Sequence, residues 1–385
     1  MSSSPVTFAQ IAFAELPGWA RDDHLAALKA FRTSCPRLIA AAKAGNKAGS
    51  AATPPELLVA CEAALALPAK TTGAQAKAYF ERQFEPQRVV HAGAQGLLTG
   101  YYEPLLEGSR KREGRFQTPI LRRPADLVNV VDETQRGAVG AQMTHARATP
   151  SGLVPFATRA EIEAGALKGQ NLELLYLADA VDVFYLQIQG SGRIKLPDGT
   201  TIRVHYDGKN GHPYTSIGRY LIDKGLVAAD KMSMAALGRW LRAESERGRA
   251  VMHQNASYVF FRELPGSAAG PLGVLEIPLT TGRSLAVDPG VHILGAPVYV
   301  SAPTLTHAAR GEPFQRLMIA QDVGSAIKGP ERGDIYFGSG EAAGRIAGIT
   351  KHPGHLFVLK ARSPAAEIVT GSAKAADKPA KQAKP

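Results

Sequence analysis

The sequence predicts a mainly β protein with helices near its N-terminus, built as one barrel domain that a second domain interrupts. Glycine (39) and proline (26) exceed their usual shares of about 7% and 5%, which favours short strands and tight turns. Helical spacing of apolar residues is concentrated between about residues 22 and 84. Strand patterns stand both before and after a mixed middle third, so both ends of the chain would form one domain around an insertion.

The composition excludes several classes of protein. A chain of 385 residues has room for two or three domains. Its 45% hydrophobic and 21% charged residues are ordinary for a packed globular protein and exclude wholesale disorder. No run approaches about 18 apolar residues, so no transmembrane helix is expected. The net charge of +11 suits an anionic partner such as nucleic acid, lipid or an acidic wall polymer, or only aids solubility.

The first predicted elements are helices. Leu25, Leu28 and Phe31 recur at helical spacing. A second helix, over residues 56–67, follows a Pro-Pro pair, and Thr72 is a candidate N-cap for a third. These helices form a cover without reactive groups.

Two cysteines and the chain start bear on the cellular compartment. Cys35 and Cys61 lie on separate helical stretches, and two neighbouring helices would bring them within bonding distance. Two unpaired buried thiols are the alternative. Residues 1–10 lack the basic start and apolar core of a secretory signal, which by itself predicts a cytoplasmic protein.

Strands and short helices alternate after about residue 88. Thr158 and Glu161 form a capping-box pattern for a helix that ends near Gly165. Asp198-Gly199 predicts a hairpin turn. Further predicted elements are strands over 183–189, 275–279, 291–294, 298–300, 316–321, 334–337 and 356–359, and helices over 216–224 and 233–247.

The motifs of the sequence favour carboxylates as the reactive groups. The sequence lacks Cys/His metal-ligand spacing, a phosphate-binding glycine loop and a Gly-x-Ser-x-Gly elbow. The densest polar cluster lies between Gln321 and Gly344. There Asp322 ends one apolar strand and Asp334 begins the next, so a compact barrel would bring both to one rim. A turn or capping role for each aspartate is the alternative.

Five motifs follow one another along the chain. They are residues 97–104 (LLTGYYEP), 187–194 (QIQGSGRI), 208–211 (GKNG), 255–261 (NASYVFF) and the cluster 322–340. In sequence and in order they resemble the membrane-bound lytic murein transglycosylase A family, over about residues 90 to 360. The last motif is similar to the "3D" aspartate region of that family.

The resemblance implies a fold and a division of the chain. It implies a double-psi β-barrel domain formed by residues 1–120, with the N-terminal helices, and 262–362. A smaller β-barrel, over 121–261, would be inserted, with a glycan groove between the two. Residues 363–385, rich in lysine, alanine and proline, are expected to form a disordered tail by composition.

The resemblance also implies a reaction without water. Such enzymes cleave the β-1,4 bond between N-acetylmuramic acid and N-acetylglucosamine in peptidoglycan and leave a 1,6-anhydro end. Matched by motif, the single catalytic aspartate is Asp334, and Asp322 is the supporting one. One carboxylate suffices because the C6 hydroxyl of the sugar attacks its own C1, whereas ordinary glycosidases need two. The acid role requires a pKa raised by burial or by a neighbouring carboxylate.

Residue types extend the predicted glycan site. Tyrosines offer flat faces for sugar rings, and the side chains of Gln187 and Gln189 would share one face of a strand and meet acetamido groups. Arg193 is a candidate partner for a lactyl or peptide carboxylate. Lys328 is expected to point outward or toward Asp322. Half-core tyrosines and a solvated strand face are the alternatives. The predicted substrate-binding residues are Thr99, Gly100, Tyr101, Tyr102, Glu103, Gln187, Gln189, Gly190, Ser191 and Arg193.

The sequence also leaves alternative functions open and predicts the partners and location of the protein. A two-carboxylate glycoside hydrolase and a non-catalytic glycan-binding module compete with the transglycosylase. A nucleic-acid-binding barrel ranks last because no basic-aromatic strand pattern accompanies the charge. We expect a monomer that acts on peptidoglycan strands without cofactor, metal or nucleic acid. The family is commonly exported and lipid-anchored, so the resemblance implies a periplasmic protein, with outer-membrane association as a further expectation, although neither signal nor lipid-acceptor cysteine is visible near residue 1.

Overall fold

A computed structural model describes residues 6–46, 52–93, 95–130, 135, 137, 139–140, 143–265 and 270–363. The predicted tail therefore lies outside the described residues from 364 onward. Among the helices that are described, none combines the length and apolar character needed to cross a bilayer.

The prediction of a mainly β protein with helices is confirmed. The described strands form sheets of nine, six and three strands. The strands are β1 (Thr7–Gln10), β2 (Phe84–Val90), β3 (Leu97–Glu103), β4 (Leu105–Ser109), β5 (Thr118–Leu121), β6 (Leu127–Asn129), β7 (His145–Thr149), β8 (Gly152–Val154), β9 (Glu173–Leu177), β10 (Ser191–Lys195), β11 (Thr201–Lys209), β12 (Val259–Leu264), β13 (Ser284–Val287), β14 (Pro297–Ala302), β15 (Phe314–Asp322), β16 (Arg332–Ser339), β17 (Lys351–Pro353) and β18 (His355–Ala361).

The helices fall into an N-terminal group, a middle group and one late helix. They are α1 (His24–Lys43), α2 (Pro55–Ala66), α3 (Gly73–Gln83), α4 (Arg159–Glu161), α5 (Ala180–Gln189), α6 (Ile217–Asp223), α7 (Met234–Ala243), α8 (Ser245–Met252) and α9 (Glu341–Ala347).

The nine-stranded sheet unites both ends of the chain. Its order is β1-β2-β18-β14-β15-β13-β16-β3-β17. The late strand β18 pairs with the early strand β2, and the late strands β16 and β17 pair with the early strand β3. The six-stranded sheet has the order β12-β11-β10-β4-β9-β5. The chain therefore passes from the nine-stranded to the six-stranded sheet at Pro104, between β3 and β4. The predicted first domain extends farther, to residue 120. The closure of either sheet into a barrel stays a prediction.

The N-terminal helices cover the nine-stranded sheet as predicted. Leu28, Phe31, Cys35 and Leu38 recur three or four residues apart on α1 and are fully buried. Burial of each such leucine or phenylalanine contributes about 1.5–3 kcal/mol. Cys35 forms a disulfide with Cys61 of α2, with a Cα–Cα distance of 5.1 Å, so the paired alternative is confirmed.

Several local predictions are confirmed by hydrogen bonds. Thr72 caps α3 by accepting from the Gln75 amide. Thr158 and Glu161 form the predicted capping box. Asp198 and Gly199 stand in the turn between the antiparallel strands β10 and β11.

The predicted strand over residues 183–189 is wrong, because the segment lies in helix α5. Asp179 caps this helix by accepting from the Val181 amide, and Gly190 ends it in the left-handed conformation at φ 75°. The two caps and a buried helical face, which includes Phe184 and Gln187, outweigh the strand propensity of the aromatic and β-branched residues. Gln187 and Gln189 consequently do not share a strand face.

Three further predicted elements differ from the structure. Residues 275–279 form a turn in which the Glu276 amide donates to the Gly273 carbonyl at 2.9 Å, and residues 291–294 follow a turn at Asp288. In both segments glycine and proline neighbours fix turns before a strand can form. The predicted helix over 233–247 is two helices, α7 and α8, which meet at the extended residue Glu244.

Candidate active site

The two aspartates lie in one row across the nine-stranded sheet. On β13, Ala286 pairs with Asp322 of β15 on one side and with Asp334 of β16 on the other. Asp334 in turn pairs with Thr99 of β3. Residues paired in register point to the same face, so both carboxylates share that face with the Thr99 hydroxyl. The expectation that the fold brings both aspartates together is met at this row.

Asp334 is half-buried, and the described residues supply a hydrogen bond to one of its two carboxyl oxygens. Thr99 Oγ1 donates to Asp334 Oδ1 at 2.5 Å. Among the described residues, nothing donates a hydrogen bond to Oδ2. Burial raises the pKa of Asp334 to about 6, against the lowering effects of the Thr99 hydrogen bond and the Arg332 charge. The free oxygen and the raised pKa together allow this carboxyl to carry a proton near neutral pH.

Asp322 is half-buried too, but both of its oxygens accept hydrogen bonds. Tyr101 Oη donates to Oδ2 at 2.9 Å, and the amides of Val274 and Val323 donate to Oδ1 at 3.2 and 2.9 Å. Burial raises the pKa of Asp322 to about 6, these three donors lower it, and Asp334 raises it. Both oxygens of Asp322 thus accept from the protein, in contrast to Oδ2 of Asp334, to which no described residue donates.

The contact between Tyr101 and Asp322 shows that the sheet is curved. Their strands, β3 and β15, are three positions apart in the strand order. Three strand spacings amount to about 14 Å in a flat sheet, which is farther than a tyrosine side chain reaches. The face that carries the carboxylates is therefore concave. On it the rings of Tyr101 and Tyr336 pack with their centroids 5.3 Å apart.

Arg332 is the cation beside Asp334. Its Nη2 donates to Thr99 Oγ1 at 2.9 Å, so the threonine hydroxyl accepts from the guanidinium and donates to the carboxylate. Lys328 points away instead, 65% exposed, with Nζ 3.6 Å from Asp288 Oδ1. The outward orientation predicted for Lys328 is thus what the structure contains.

Strand β11 connects the two large sheets through Glu103. This glutamate is fully buried at the end of β3, next to the point where the chain passes into the six-stranded sheet. It accepts from Arg203 Nε and Ser339 Oγ, both at 2.6 Å, and lies 3.5 Å from Arg193 Nε. Glu103 therefore joins the sheets from inside the protein, while its predicted contact with glycan stays untested.

The remaining predicted binding residues gather around α5 and β3. Gln189 Oε1 accepts from the Tyr102 amide at 3.0 Å, which links the end of α5 to the nine-stranded sheet. Gln187 and Ser191 are buried, which leaves little of either side chain for a ligand. A Cβ at Gly100 would lie 2.4 Å from the Phe337 ring, so only glycine fits there.

Sequence reasoning missed Arg332 and Arg203. Alternation along β16 places residues 332 and 334 on one face, and this period of two was the available signal for Arg332. Arg203 pairs with a glutamate 100 positions earlier in the sequence. Nothing local in the sequence marks that pairing.

Comparison with known proteins agrees with the sequence motifs and the fold. Residues 97–262 match the MltA specific insert domain, and residues 283–360 match the 3D domain. Membrane-bound lytic murein transglycosylase A of Escherichia coli is 38% identical over 278 residues, which cover 71% of this chain and 68% of that protein. The Vibrio cholerae protein of the same name is 34% identical over 267 residues, 68% of this chain and 65% of that protein.

Solved structures extend the likeness to the fold. The crystal structure of a membrane-bound lytic murein transglycosylase from Agrobacterium tumefaciens has a TM-score of 0.83 and 35% identity, covering 92% of this chain and 98% of that one. The crystal structure of Escherichia coli MltA with bound chitohexaose has a TM-score of 0.65 and 30% identity, and the match covers 94% of this chain and 95% of that one. The chain therefore belongs to the membrane-bound lytic murein transglycosylase A family and is a lytic transglycosylase.

Proposed function

We propose that this protein cleaves the β-1,4 bond between N-acetylmuramic acid and N-acetylglucosamine in peptidoglycan and leaves 1,6-anhydromuramic acid ends, with Asp334 as acid and then base. The observation that carries the proposal is the Asp334 carboxyl, half-buried on the concave face with pKa raised to about 6 and with Oδ2 unpartnered among the described residues. The family membership supports the substrate class and the type of reaction.

The first step is proton donation. Thr99 holds Oδ1 of Asp334 as an acceptor, which leaves the transferable proton on Oδ2. This proton passes to the glycosidic oxygen as the bond to C1 breaks, so the leaving sugar departs as a neutral alcohol.

Ring closure is the second step. The C6 hydroxyl of the muramyl unit attacks C1, and Asp334, now ionised, takes the hydroxyl proton and is ready for another cycle. Because the nucleophile is tethered, its effective molarity is on the order of 10⁵ M or more, so a positioned water and a second carboxylate are not needed. A pKa near 6 suits both halves of the cycle, since the group must give and accept a proton at similar pH.

We further propose that the substrate lies between the two sheets, with each sheet closed as a barrel. The curvature required by the Tyr101–Asp322 contact supports closure of the nine-stranded sheet. Contacts between the edge strands β5 and β12 support closure of the six-stranded one. The neighbour crystallised with chitohexaose supports a groove for a linear acetamido-sugar chain.

We propose a periplasmic location. The disulfide between Cys35 and Cys61 supports it, because such bonds persist in oxidising compartments. Alkylation of the isolated protein tests this: both thiols are expected to resist a maleimide until a reductant is added, and immediate modification of both would contradict it.

Mass analysis of digested peptidoglycan tests the reaction. Wild-type protein is expected to release fragments lighter by one water than hydrolysis products, without incorporation of ¹⁸O from labelled water. The Asp334→Ala chain is expected to release none. Fragments with reducing ends and ¹⁸O would instead indicate a two-carboxylate hydrolase that uses Asp322 and Asp334.

A further inference from the structure

The mechanism gives no role to the motif GKNG at residues 208–211. Three of its positions shape the end of β11. Gly208 has φ 135° at a bulge in the pairing with β12, where a Cβ would meet Arg123 at 3.2 Å. A Cβ at Gly211 would lie 2.1 Å from the His145 carbonyl oxygen. The bulge and the tight contact fix the strand end and the direction of the residue between them.

Asn210 completes this support. Its Nδ2 donates to the carbonyls of Ala157 and Ala256, both at 2.8 Å, and its Oδ1 accepts from the Tyr258 amide at 2.9 Å. The side chain is fully buried. Backbone support therefore accounts for positions 208, 210 and 211, but not for Lys209.

Lys209 points at the segment that joins the two aspartates. Its Nζ donates to Ser325 Oγ at 3.1 Å, and Ser325 stands between Asp322 at the end of β15 and Asp334 on β16. The lysine ends β11 of the six-stranded sheet, and the serine lies in the turn that joins β15 to β16 of the nine-stranded sheet. Lys209 is thus a cation of one sheet that contacts the segment between the two aspartates of the other.

The charge of Lys209 has no carboxylate partner in the part of the chain that the structure describes. Its single hydrogen bond to a hydroxyl leaves two ammonium protons for another acceptor. Burial and the charge of Lys328 lower its pKa. Arg123 and Lys209 both help to lower the pKa of His145, after burial, to about 4. The surroundings of Lys209 are therefore electropositive, and a half-buried cation without an anion among the described residues leaves room for a charged ligand.

The peptidoglycan chemistry offers a matching anion. Muramic acid differs from glucosamine by a lactyl ether whose carboxyl group is free in bare glycan and amide-linked to a peptide in the intact wall. Arg193, which the sequence suggested for this anion, instead lies beside the buried carboxylate of Glu103. Lys328 is exposed but shared with Asp288. Of these three cations, Lys209 is the one that has no carboxylate partner in the described part of the chain.

We propose that Lys209, flanked by Lys328, forms a subsite for a carboxylate carried by the muramyl side arm of the substrate. The proposal rests on the proposed function and adds a charge-based preference for muramyl over glucosaminyl units. The shared chemistry is a carboxylate, supplied by the lactyl group in bare strands or by a stem peptide in the intact wall. A charged hydrogen bond of this kind contributes roughly ten-fold or more to recognition.

Cleavage of three glycans tests the subsite: strands freed of peptide, the same strands with their lactyl carboxyls amidated, and peptide-bearing strands. We expect wild type to have a kcat/KM about ten-fold higher on a carboxylate-bearing glycan than on the amidated one. Lys209→Met should abolish this preference without changing cleavage of amidated strands, and Lys209→Arg should retain it. Lys195→Met, which removes an exposed lysine on β10 of the same sheet, is the control and should behave as wild type.

Each outcome decides a point. If Lys209→Met lowers kcat/KM on bare strands alone, the lactyl carboxylate is the ligand of the subsite. If it lowers kcat/KM on peptide-bearing strands alone, a carboxylate of the stem peptide is the ligand. An unchanged preference in Lys209→Met refutes the subsite, and so does an equal loss on all three glycans, which would indicate a contact that only joins the sheets.

Binding measured by calorimetry keeps this test separate from the reaction. In the Asp334→Asn background, which should not turn over substrate, Lys209→Met should weaken the binding of carboxylate-bearing glycan about ten-fold and leave that of amidated glycan unchanged. If wild type produced reducing ends, the proposed reaction would fail while this affinity difference would still report on Lys209. Equal affinities for both glycans with lysine present would overturn the subsite alone.

Discussion

One half-buried aspartate, Asp322, lies at the end of β15, and another, Asp334, lies on β16. Burial raises the pKa of each to about 6, yet the surroundings of the two aspartates differ. Asp322 accepts three hydrogen bonds that occupy both oxygens. From the residues that the structure describes, Asp334 accepts one, which Thr99 donates to Oδ1. The two pKa values alone would not separate an acid from a supporting carboxylate.

We propose that the hydrogen bonds which each carboxylate accepts, more than its pKa, separate the two roles. A group that donates and then accepts a proton needs an oxygen that no protein donor occupies. Asp322 lacks one, and its three donors hold an anion in place. It anchors Tyr101 and the turn at Val274, and these in turn border the concave face.

The largest expected effect comes from Asp334. We expect Asp334→Asn to lower kcat by roughly 10³-fold or more, because the amide has the same shape but cannot transfer a proton. The rate of anhydro-fragment release measures it. Asp230→Asn, at an exposed site, is the matched control. Residual activity within ten-fold of wild type would remove Asp334 from the role of acid.

A smaller effect is expected from Asp322. Asp322→Asn places an amide NH₂ against at least one of the three donors, which should displace Tyr101 and lower kcat by roughly 10- to 100-fold without changing the products. Product mass and rate would be measured together. A loss as large as that of Asp334→Asn would favour two equivalent carboxylates and break the distinction between the two regions.

The aspartate strands illustrate what sequence reasoning predicts well. Asp322 ends a strand and Asp334 lies on the next predicted one, and the paired row at Ala286 brings both to one face. The hydrogen-bond donors to the two aspartates were harder to predict from the sequence. The Thr99 contact depends on parallel pairing of β3 with β16 across 235 positions, and the Val274 amide comes from a turn that was predicted as a strand.

Helix α5 shows where local patterns mislead. The aromatic and β-branched residues near Phe184 favour a strand, and Asp179 and Gly190 were not used as the two ends of a helix. The predicted amide pair was lost with that strand. Gln189 nevertheless meets β3, through the Tyr102 amide, because tertiary packing brings the end of α5 there.

Arg332 allows the electrostatics of the Asp334 region to be tested. Its charge lowers the pKa of Asp334 and its Nη2 fixes the Thr99 hydroxyl. We expect Arg332→Met to raise that pKa, so that the alkaline limb of kcat/KM moves to higher pH by roughly one unit or less. Arg332→Lys, which keeps the charge, should shift the limb less. An unchanged pH profile in Arg332→Met would show that the arginine acts only through packing.

The smallest effect is on stability and compares both aspartates again. A carboxyl pKa raised on folding adds stability below the ordinary value of 3.8, and this stability is lost as pH rises through about 6. At pH 7 the ionised Asp334 therefore destabilises the fold, and Asp334→Asn should raise the free energy of unfolding by about 1–2 kcal/mol. Asp322→Asn should raise the free energy of unfolding by less, because the NH₂ group of its amide must face a donor whose hydrogen bond the carboxylate accepted. Urea unfolding at pH 7 and pH 4 measures both, and the gain for Asp334→Asn should disappear at pH 4. Equal gains for the two variants at pH 7 would mean that the three donors to Asp322 do little to hold its charge, and the contrast between the two regions would then rest on geometry alone.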